Sequence, residues 1–181
     1  MDALVALLTA LWAMLPAYVP NNAAVLAGGG TPIDAGRTWH GKRLLGDGKT
    51  WRGTAVGVSA GALLAVGLDW LAPAASDALG VSLPGFPLPI VFALPAGAML
   101  GDVLASFLKR RTGRDRGAAF PLLDQLDFVV AALALAALAA PTWFGEVFTL
   151  PVLAVVLVVT PVLHVVTNGI AYLLGLKEEP W

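Results

Sequence analysis

The sequence contains no cysteine and few charged residues. Without cysteine, disulfide bonds and thiolate metal sites are excluded, so any metal must be bound through oxygen or imidazole. Asp, Glu, Lys and Arg make up 13% of the chain, against roughly 25% in an average soluble domain. Hydrophobic residues make up 58%, and the mean hydropathy is +0.80. This composition predicts an integral membrane protein.

The beginning of the chain lacks the marks of a secretory signal. An acidic residue, Asp2, follows Met1, and neither a positively charged region nor a small-residue cleavage site is present. We therefore expect this apolar stretch to be a retained membrane span.

Five stretches of the sequence approach or exceed the about 20 apolar residues that a transmembrane helix needs. No internal repeat and no linker divides them, which predicts a single membrane domain over residues 1–181. The predicted fold class is an all-α integral membrane protein with five transmembrane helices. The predicted spans are about 3–27, 53–72, 87–108, 123–141 and 147–175.

The basic residues are concentrated in three of the segments between and after these spans. Of eleven Lys and Arg residues, five lie in segment 28–52, five in segment 109–122 and one in segment 176–181. The positive-inside rule places all three segments in the cytoplasm and the N-terminus outside. Five spans are compatible with this arrangement, so we expect a multi-pass protein of the cell membrane with its functional loops on the cytoplasmic side.

Glycine and proline mark particular helix faces. Gly53, Gly57 and Gly61 recur every fourth residue, which favours close helix packing. Prolines interrupt the first and last spans, and backbone groups freed at such kinks must be satisfied by neighbours or water. We expect both spans to border a polar cavity, with Asn22 beside it. His164 either bonds to a neighbouring helix or takes part in catalysis.

The stretch "LLGDGKTWRG", residues 44–53, contains the Gly-Lys-Thr that ends a nucleotide-binding P-loop. The P-loop pattern requires glycine at position 43, where Arg43 stands, and a βαβ unit that a membrane protein of this kind lacks. A soluble nucleotide hydrolase is therefore excluded. Flexible backbone, a lysine and a helix start still favour phosphate binding; the alternative is a solvated loop that sets topology. The candidate ligand contacts here are Gly46, Asp47, Gly48, Lys49, Thr50 and Arg52.

The preceding stretch, "GGGTPIDAGRTW", adds Asp34 and Arg37 as candidate contacts. Together the two stretches form a connection longer than a membrane protein requires, and such loops are usually functional or disordered. Trp39 and Trp51 favour an ordered element at the membrane interface.

The third predicted span ends with Asp102, Ser106 and Lys109 on one helix face. Asp102 lies about 10 Å inside Lys109 along the helix axis. An acid at membrane depth costs about 2.5 kcal/mol or more unless it is paired or hydrated. Asp102 therefore indicates a site, or alternatively a salt bridge to a neighbouring arginine.

The fourth predicted span opens with Asp124 and Asp127 on one face, near the helix start. Together with Asp102 they form a plausible oxygen-ligand set for Mg²⁺, which is usually bound by one or two carboxylates with water and substrate phosphates. Basic residues are predicted at the same membrane face. The combination indicates metal-dependent phosphoryl or nucleotidyl transfer, with the cations Lys49, Lys109, Arg110 and Arg111.

The stretch from "GDVLASFLKRRTGRD" to "LDQLDF", residues 101–128, is similar to the signature of the CDP-diacylglycerol synthases. With "GGGTPIDAGR", "LLGDGKTWRG" and five spans, the chain most resembles the archaeal branch of that family, the CDP-archaeol synthases. It departs from the bacterial and eukaryotic signature in lacking the Gly-His-Gly-Gly run and in having Asp-Gln where Asp-Arg is usual. The matching positions are Gly101, Asp102, Ser106, Lys109, Arg110, Asp115, Asp124 and Asp127.

The resemblance implies that CTP and a geranylgeranyl ether-lipid phosphate react, with Mg²⁺, to give a CDP-lipid and pyrophosphate. It implies CTP, the lipid phosphate and membrane lipid as partners, and no nucleic acid; a homodimer stays open. Asp102, Asp124 and Asp127 would be the metal ligands. The implied catalytic residues are these three with Lys49 and Lys109. The implied contacts to nucleotide and phosphate are Asn22, Asp34, Arg37, Gly46, Asp47, Gly48, Lys49, Thr50, Arg52, Ser106, Lys109 and Arg110.

Three other functions fit parts of the pattern. CDP-alcohol phosphotransferases also carry acidic clusters at the membrane face, but their Asp-Gly-x-x-Ala-Arg motif does not occur here. A small ion or substrate transporter would suit intramembrane acids and broken helices, although the charges gather at one face. A purely structural role leaves segment 28–52 and the three acids unexplained.

Overall fold

The computed structural model describes residues 1–113 and 123–175. Within these ranges the chain forms six helices and one short antiparallel hairpin, in which Thr38 pairs with Arg43. The predicted segment 109–122 lies in part, and the tail 176–181 entirely, outside the described residues, as do Asp115 and Lys177. The elements are α1 (Ala3–Ala27), β1 (Thr38–Trp39), β2 (Lys42–Arg43), α2 (Trp51–Leu79), α3 (Leu88–Arg111), α4 (Leu123–Ala139), α5 (Pro141–Val147) and α6 (Leu150–Leu173).

The prediction of an all-α membrane protein is confirmed. Helices α1, α2, α3 and α6 are long and apolar enough to cross a membrane. Helix α4 has 17 described residues, or about 25 Å at 1.5 Å per residue, and residues 114–122 before it lie outside the described part of the chain. The fifth span and the orientation in the membrane therefore stay predictions.

Two predicted boundaries are wrong. Helix α2 does not end near residue 72 but continues through Pro73 to Leu79, where Gly80 (φ 66°) adopts the left-handed conformation that ends many helices. Between the predicted spans 123–141 and 147–175 the chain forms the short helix α5, so α6 begins only at Leu150. Both α5 and α6 have proline in their first turn, where the missing N–H has no helical partner in any case.

The glycine ladder of α2 packs against α1, as predicted. A Cβ atom added at Gly61 would lie 2.5 Å from the carbonyl oxygen of Pro16, and one at Gly57 would lie 2.7 Å from that of Pro20. Because Pro20 has no N–H, the Pro16 carbonyl has no intrahelical partner four residues later. The glycines leave space for that carbonyl and let the two helices approach closely.

Helices α3 and α4 make a similar close contact. A Cβ atom at Gly97 would lie 2.6 Å from the Cα atom of Ala132. One helical turn further along α3, Gly101 faces the backbone of Asp127 and Phe128. This crossing determines which side chains meet at the end of the bundle where α3 ends.

Candidate active site at the end of helix α3

The acids of α3 and α4 are brought together by the glycine contact between the two helices. A Cβ atom at Gly101 would overlap the carbonyl oxygen of Asp127 and lie 2.7 Å from the Cα atom of Phe128. Asp102 follows Gly101 directly, so it lies beside the first turns of α4. Any side chain larger than hydrogen at position 101 would separate the two carboxylate-bearing backbones.

Two lysines form ion pairs with two of these acids. Lys49 Nζ lies 2.5 Å from Asp102 Oδ2, and Lys109 is paired with Asp124. Between 20% and 26% of each of the four side chains is exposed, so solvent can reach both pairs. The salt bridge considered as the alternative for Asp102 is therefore present, but its partner is Lys49 and not an arginine.

Asp127 completes the acidic group. It lies within electrostatic range of Asp102, Asp124 and Lys49, and its Oδ1 accepts a hydrogen bond from the Phe128 N–H at 2.6 Å. Within residues 1–113 and 123–175, no Lys or Arg forms an ion pair with it. A carboxylate without a cationic partner, next to two others, is suited to a hard cation.

The expected three-acid metal site is not assembled as a ligand cage. No group of three His, Asp or Glu side chains within the described residues is close enough to hold one metal ion. The donor set still fits Mg²⁺, because it offers only oxygen and because this ion needs one or two carboxylates when substrate phosphates complete its shell. Asp102 and Asp124 would each have to release a lysine before binding a metal ion. Among the described residues Asp127 has no such ion pair to lose, so it can supply a carboxylate directly.

Asp34, an expected nucleotide contact, is the buried centre of the loop between α1 and α2. Its two carboxylate oxygens accept five hydrogen bonds: two from the Arg43 guanidinium, at 2.7 and 3.2 Å, and three from the backbone N–H groups of Gly36, Leu45 and Gly46. The Arg43 hydrogen bonds, helped by those of the backbone, hold the pKa of Asp34 far below its ordinary value despite burial. Asp34 thus organises the loop around it.

Arg43, the residue that excluded a P-loop, is the partner of this centre. Its guanidinium also bonds to Asp47 at 2.6 Å. Hydrogen bonds to Asp34 and then Asp47 raise the pKa of Arg43 above its ordinary value. A glycine at position 43 would leave the buried Asp34 carboxylate without its counter-charge, at a cost of several kcal/mol.

Lys49 is held between this loop and the start of α2. The Lys49 carbonyl accepts a hydrogen bond from Ile33 N–H at 2.8 Å, and Pro32 and Thr50 form a β-bridge. The Thr50 hydroxyl is buried and caps α2 by accepting the Gly53 N–H at 3.1 Å. These contacts position the Lys49 backbone while its side chain reaches across to α3.

Of the other expected contacts, two glycines belong to the part of the loop near Arg110, and two side chains bond to main-chain carbonyls. Gly46 lies beside the Arg110 guanidinium, with 3.9 Å between an added Cβ atom and Arg110 Nε, and Gly48 is exposed close by in the chain. Ser106 instead bonds to the Asp102 carbonyl, and Arg52 bonds to the Ala27 carbonyl.

Asn22 and Arg37 are exposed and show no contact with the acids. Asn22 donates to the carbonyl of Tyr18 in its own helix at 3.4 Å. The backbone of Arg37 bonds to Asp34 and Leu44, while its side chain faces solvent. Their roles as ligand contacts stay predictions, as do those of all the candidate site residues.

Arg111 was expected among the cations of the site, but sequence reasoning missed its contact with the hairpin. Its guanidinium donates to the carbonyls of Trp39 and Arg43 in the hairpin, at 2.9 and 2.8 Å. A signal existed, because three consecutive basic residues cannot share one helix face. Lys109 faces the acids, and a residue two positions later must point elsewhere, here toward the hairpin.

Comparisons with known proteins give the family of this chain. The family described as "CarS-like: CDP-archaeol synthase" matches residues 3–181. CDP-archaeol synthases from Halobacterium salinarum and Methanosarcina mazei are 68% and 48% identical to the chain. The alignments cover 100% of both chains in the first case, and 93% of this chain and 100% of the relative in the second.

A solved structure of an intramembrane enzyme for archaeal membrane lipid biosynthesis is 36% identical, with a TM-score of 0.68 over 90% of this chain and 94% of that one. The chain belongs to the CDP-archaeol synthase family, the CTP-dependent cytidylyltransferases of archaeal lipid synthesis.

Proposed function

We propose that this chain joins CTP to the phosphate of a geranylgeranyl ether lipid, with Mg²⁺, at the cytoplasmic face of the cell membrane. An oxygen of the lipid phosphate attacks the α-phosphorus of CTP and forms a new P–O bond. The bond from that phosphorus to the oxygen bridging the α- and β-phosphates breaks, and pyrophosphate leaves. The products are a CDP-lipid and pyrophosphate.

The observation that carries the proposal is the meeting of lysines and acids from three separate segments at one end of the bundle. Lys49 comes from the loop before α2, Asp102 and Lys109 come from α3, and Asp124 and Asp127 come from α4. The transporter alternative loses support, because these charges gather at a helix end rather than along a path through the bundle. Family membership also supports an enzyme.

The residues present suffice for this reaction without a strong general base. The attacking lipid phosphate is already an anion, so catalysis depends on positioning and on neutralising charge. Lys49 and Lys109 would neutralise the phosphates, exchanging a carboxylate partner for a phosphate oxygen. Asp127, with Asp102 and Asp124, would hold the divalent cation, whose contribution is charge neutralisation at the triphosphate.

The cytoplasmic orientation is supported by the location of the basic residues. The hairpin loop and the end of α3, which together contain most of the Lys and Arg residues of the chain, lie at the same end of the bundle. The positive-inside rule directs that end to the cytoplasm, where CTP is available. A homodimer stays a prediction.

The direct test is an assay of purified, folded protein with labelled CTP, Mg²⁺ and a geranylgeranyl ether-lipid phosphate. We expect both CDP-lipid and pyrophosphate to form. The absence of both products from protein that unfolds cooperatively would refute the proposed reaction.

Asp127→Asn tests the acidic group in the same assay. We expect a loss of two or more orders of magnitude in activity, on the scale of about 3 kcal/mol or more of transition-state stabilisation. The matched control is Asp77→Asn, which changes an exposed acid near the end of α2 that lies away from Lys49. Near-normal activity of Asp127→Asn would remove this residue from the site.

A further inference from the structure

Arg111, the last residue of α3, attaches the β1–β2 hairpin to that helix. Its Nη1 donates to the Trp39 carbonyl at 2.9 Å, and its Nη2 donates to the Arg43 carbonyl at 2.8 Å, with a longer contact to the Lys42 carbonyl at 3.4 Å. All three acceptors are main-chain oxygens around the turn of the hairpin. Arg111 therefore restrains the backbone of the hairpin through bonds that do not involve the hairpin side chains.

The same guanidinium lies over two neighbouring aromatic rings. Its carbon is 5.3 Å from the centre of the Trp39 ring and 5.4 Å from that of Phe107, and the two rings are 6.2 Å apart. One ring belongs to the hairpin and the other to α3. A forked cation can approach both rings while donating to two separate carbonyls, which the single ammonium group of lysine cannot reproduce.

The hairpin is connected to Lys49 by a short series of contacts. Arg43, whose carbonyl Arg111 binds, holds Asp34 by two hydrogen bonds. Asp34 holds the backbone of Leu45 and Gly46, and the Gly46 carbonyl accepts the Lys49 N–H at 3.4 Å. The loop is thus bonded to α3 at two points, by Arg111 at its hairpin and by Lys49 at its other end.

These two attachment points lie on one rigid element. Arg111 follows Asp102 by nine positions in α3, which is about 14 Å along the helix axis. If the hairpin were released, the contacts between the loop and α3 among the described residues would be reduced to the partly exposed Lys49 pair and the approach of Gly46 to Arg110. Such a pair contributes about 1 kcal/mol or less, too little to hold a loop of this length in one place.

We propose that Arg111 is a positioning residue, which clamps the hairpin to α3 so that Lys49 stays opposite Asp102 and meets the nucleotide phosphates in a fixed place. The proposal rests on the proposed function, in which Lys49 contacts phosphate. Arg111 touches the hairpin and acts on the reaction only through Lys49.

Hydrogen exchange measured by mass spectrometry tests the clamp itself, without any substrate. We expect peptides that cover residues 36–46 to exchange faster in Arg111→Ala and in Arg111→Lys, while peptides from α1 and α6 are unchanged. The matched control is Lys42→Ala, which removes an exposed cation from the same hairpin but leaves its carbonyl in place. Unchanged exchange in Arg111→Ala would overturn the clamp, whether or not the chain makes a CDP-lipid.

A double-mutant cycle with Lys49→Ala tests whether the clamp acts through Lys49. We expect Arg111→Ala to lower kcat/KM for CTP by about tenfold or more in the natural background, and by less than about twofold when Lys49 is already alanine, because residues that act as one unit are not additive. If the Lys49→Ala variants turn over too slowly for kcat/KM to be measured, the same double-mutant cycle can be carried out on the equilibrium Kd for CTP.

Equal losses from Arg111→Ala in both backgrounds would overturn the proposal, since they would mean that Arg111 contacts the nucleotide directly. Arg111→Lys separates these cases again: a direct phosphate contact would be rescued in part by lysine, whereas the clamp would not. Failure of the natural protein to make any CDP-lipid would refute the proposed function while leaving the exchange result to decide on the clamp.

Discussion

The pairing of lysines with carboxylates determines the chemistry available to individual residues. Lys109 and Asp124 are paired, as are Lys49 and Asp102, so each lysine competes with a metal ion for the carboxylate that it holds. A nucleotide triphosphate that attracts the lysines would leave the carboxylates to the cation. Metal binding and nucleotide binding are therefore expected to be coupled.

Replacing Lys109 by methionine tests this competition. We expect the affinity for Mn²⁺, measured by electron paramagnetic resonance without nucleotide, to rise by up to about fivefold, because a partly exposed ion pair contributes at most about 1 kcal/mol. Lys42→Met serves as the control. An unchanged or weaker Mn²⁺ affinity in Lys109→Met would show that Asp124 is not a ligand.

Asp34 makes the order of the loop dependent on pH in a definite direction. Because its folded pKa lies far below the ordinary value of about 3.9, its stabilising effect is complete above that value and is lost only as pH falls through the folded pKa. We expect hydrogen-exchange protection of residues 36–46, corrected for intrinsic rates, to be equal at pH 7 and pH 5. Asp34→Asn should lower this protection at both pH values by about tenfold or more, and retention of full protection would contradict the role of Asp34 as the centre of the loop.

At the scale of the elements, glycines decide how closely the helices cross. Gly57 and Gly61 allow α1 to pack closely against α2, and Gly97 and Gly101 allow α4 to pack closely against α3. Only the α3–α4 crossing bears directly on the acids, because Gly101 precedes Asp102 and faces the backbone of Asp127. Substitution at position 101 should therefore affect activity more than a comparable change elsewhere in the helices.

Gly101→Ala tests the crossing. An added Cβ atom meets the α4 backbone, which cannot move without repacking, so we expect a lower thermal unfolding temperature in detergent and a loss of activity of about tenfold or more. Gly67→Ala is the matched control, since a Cβ atom there has no neighbour within 4 Å. Equal behaviour of the two variants would mean that the α3–α4 distance does not control the site.

At the scale of the whole molecule, the lack of cysteine allows the predicted orientation to be measured directly. Single cysteines can be placed at His40, at the exposed turn of the hairpin, and at Asp77, exposed near the far end of α2. In sealed membrane vesicles we expect a membrane-impermeant maleimide to label His40→Cys only from the cytoplasmic side and Asp77→Cys only from the outside. Labelling of both positions from one side would contradict the predicted topology.

Much of the fold was predictable because it depends on local properties. The lengths of the apolar stretches predicted the bounds of α1 and α3 and the start of α2 to within a few residues. Helix α2 continues beyond the predicted end at residue 72, because a helix can pass a proline such as Pro73 when its freed groups are satisfied by neighbours. The hairpin was missed because each of its strands has only two residues, too few to show the alternation that marks a strand.

The sequence by itself determined that the chain is a helical membrane protein, which family it resembles, and which acids and lysines are available, since these follow from composition, spacing and motif. Only the tertiary structure decided that Lys49 pairs with Asp102, that Asp34 is a buried centre of its loop, and that Arg111 holds the hairpin. Those contacts join segments 9 to 72 positions apart. They depend on how the loop between α1 and α2 folds back on itself and onto α3, which is a property of packing in three dimensions and not of residue order.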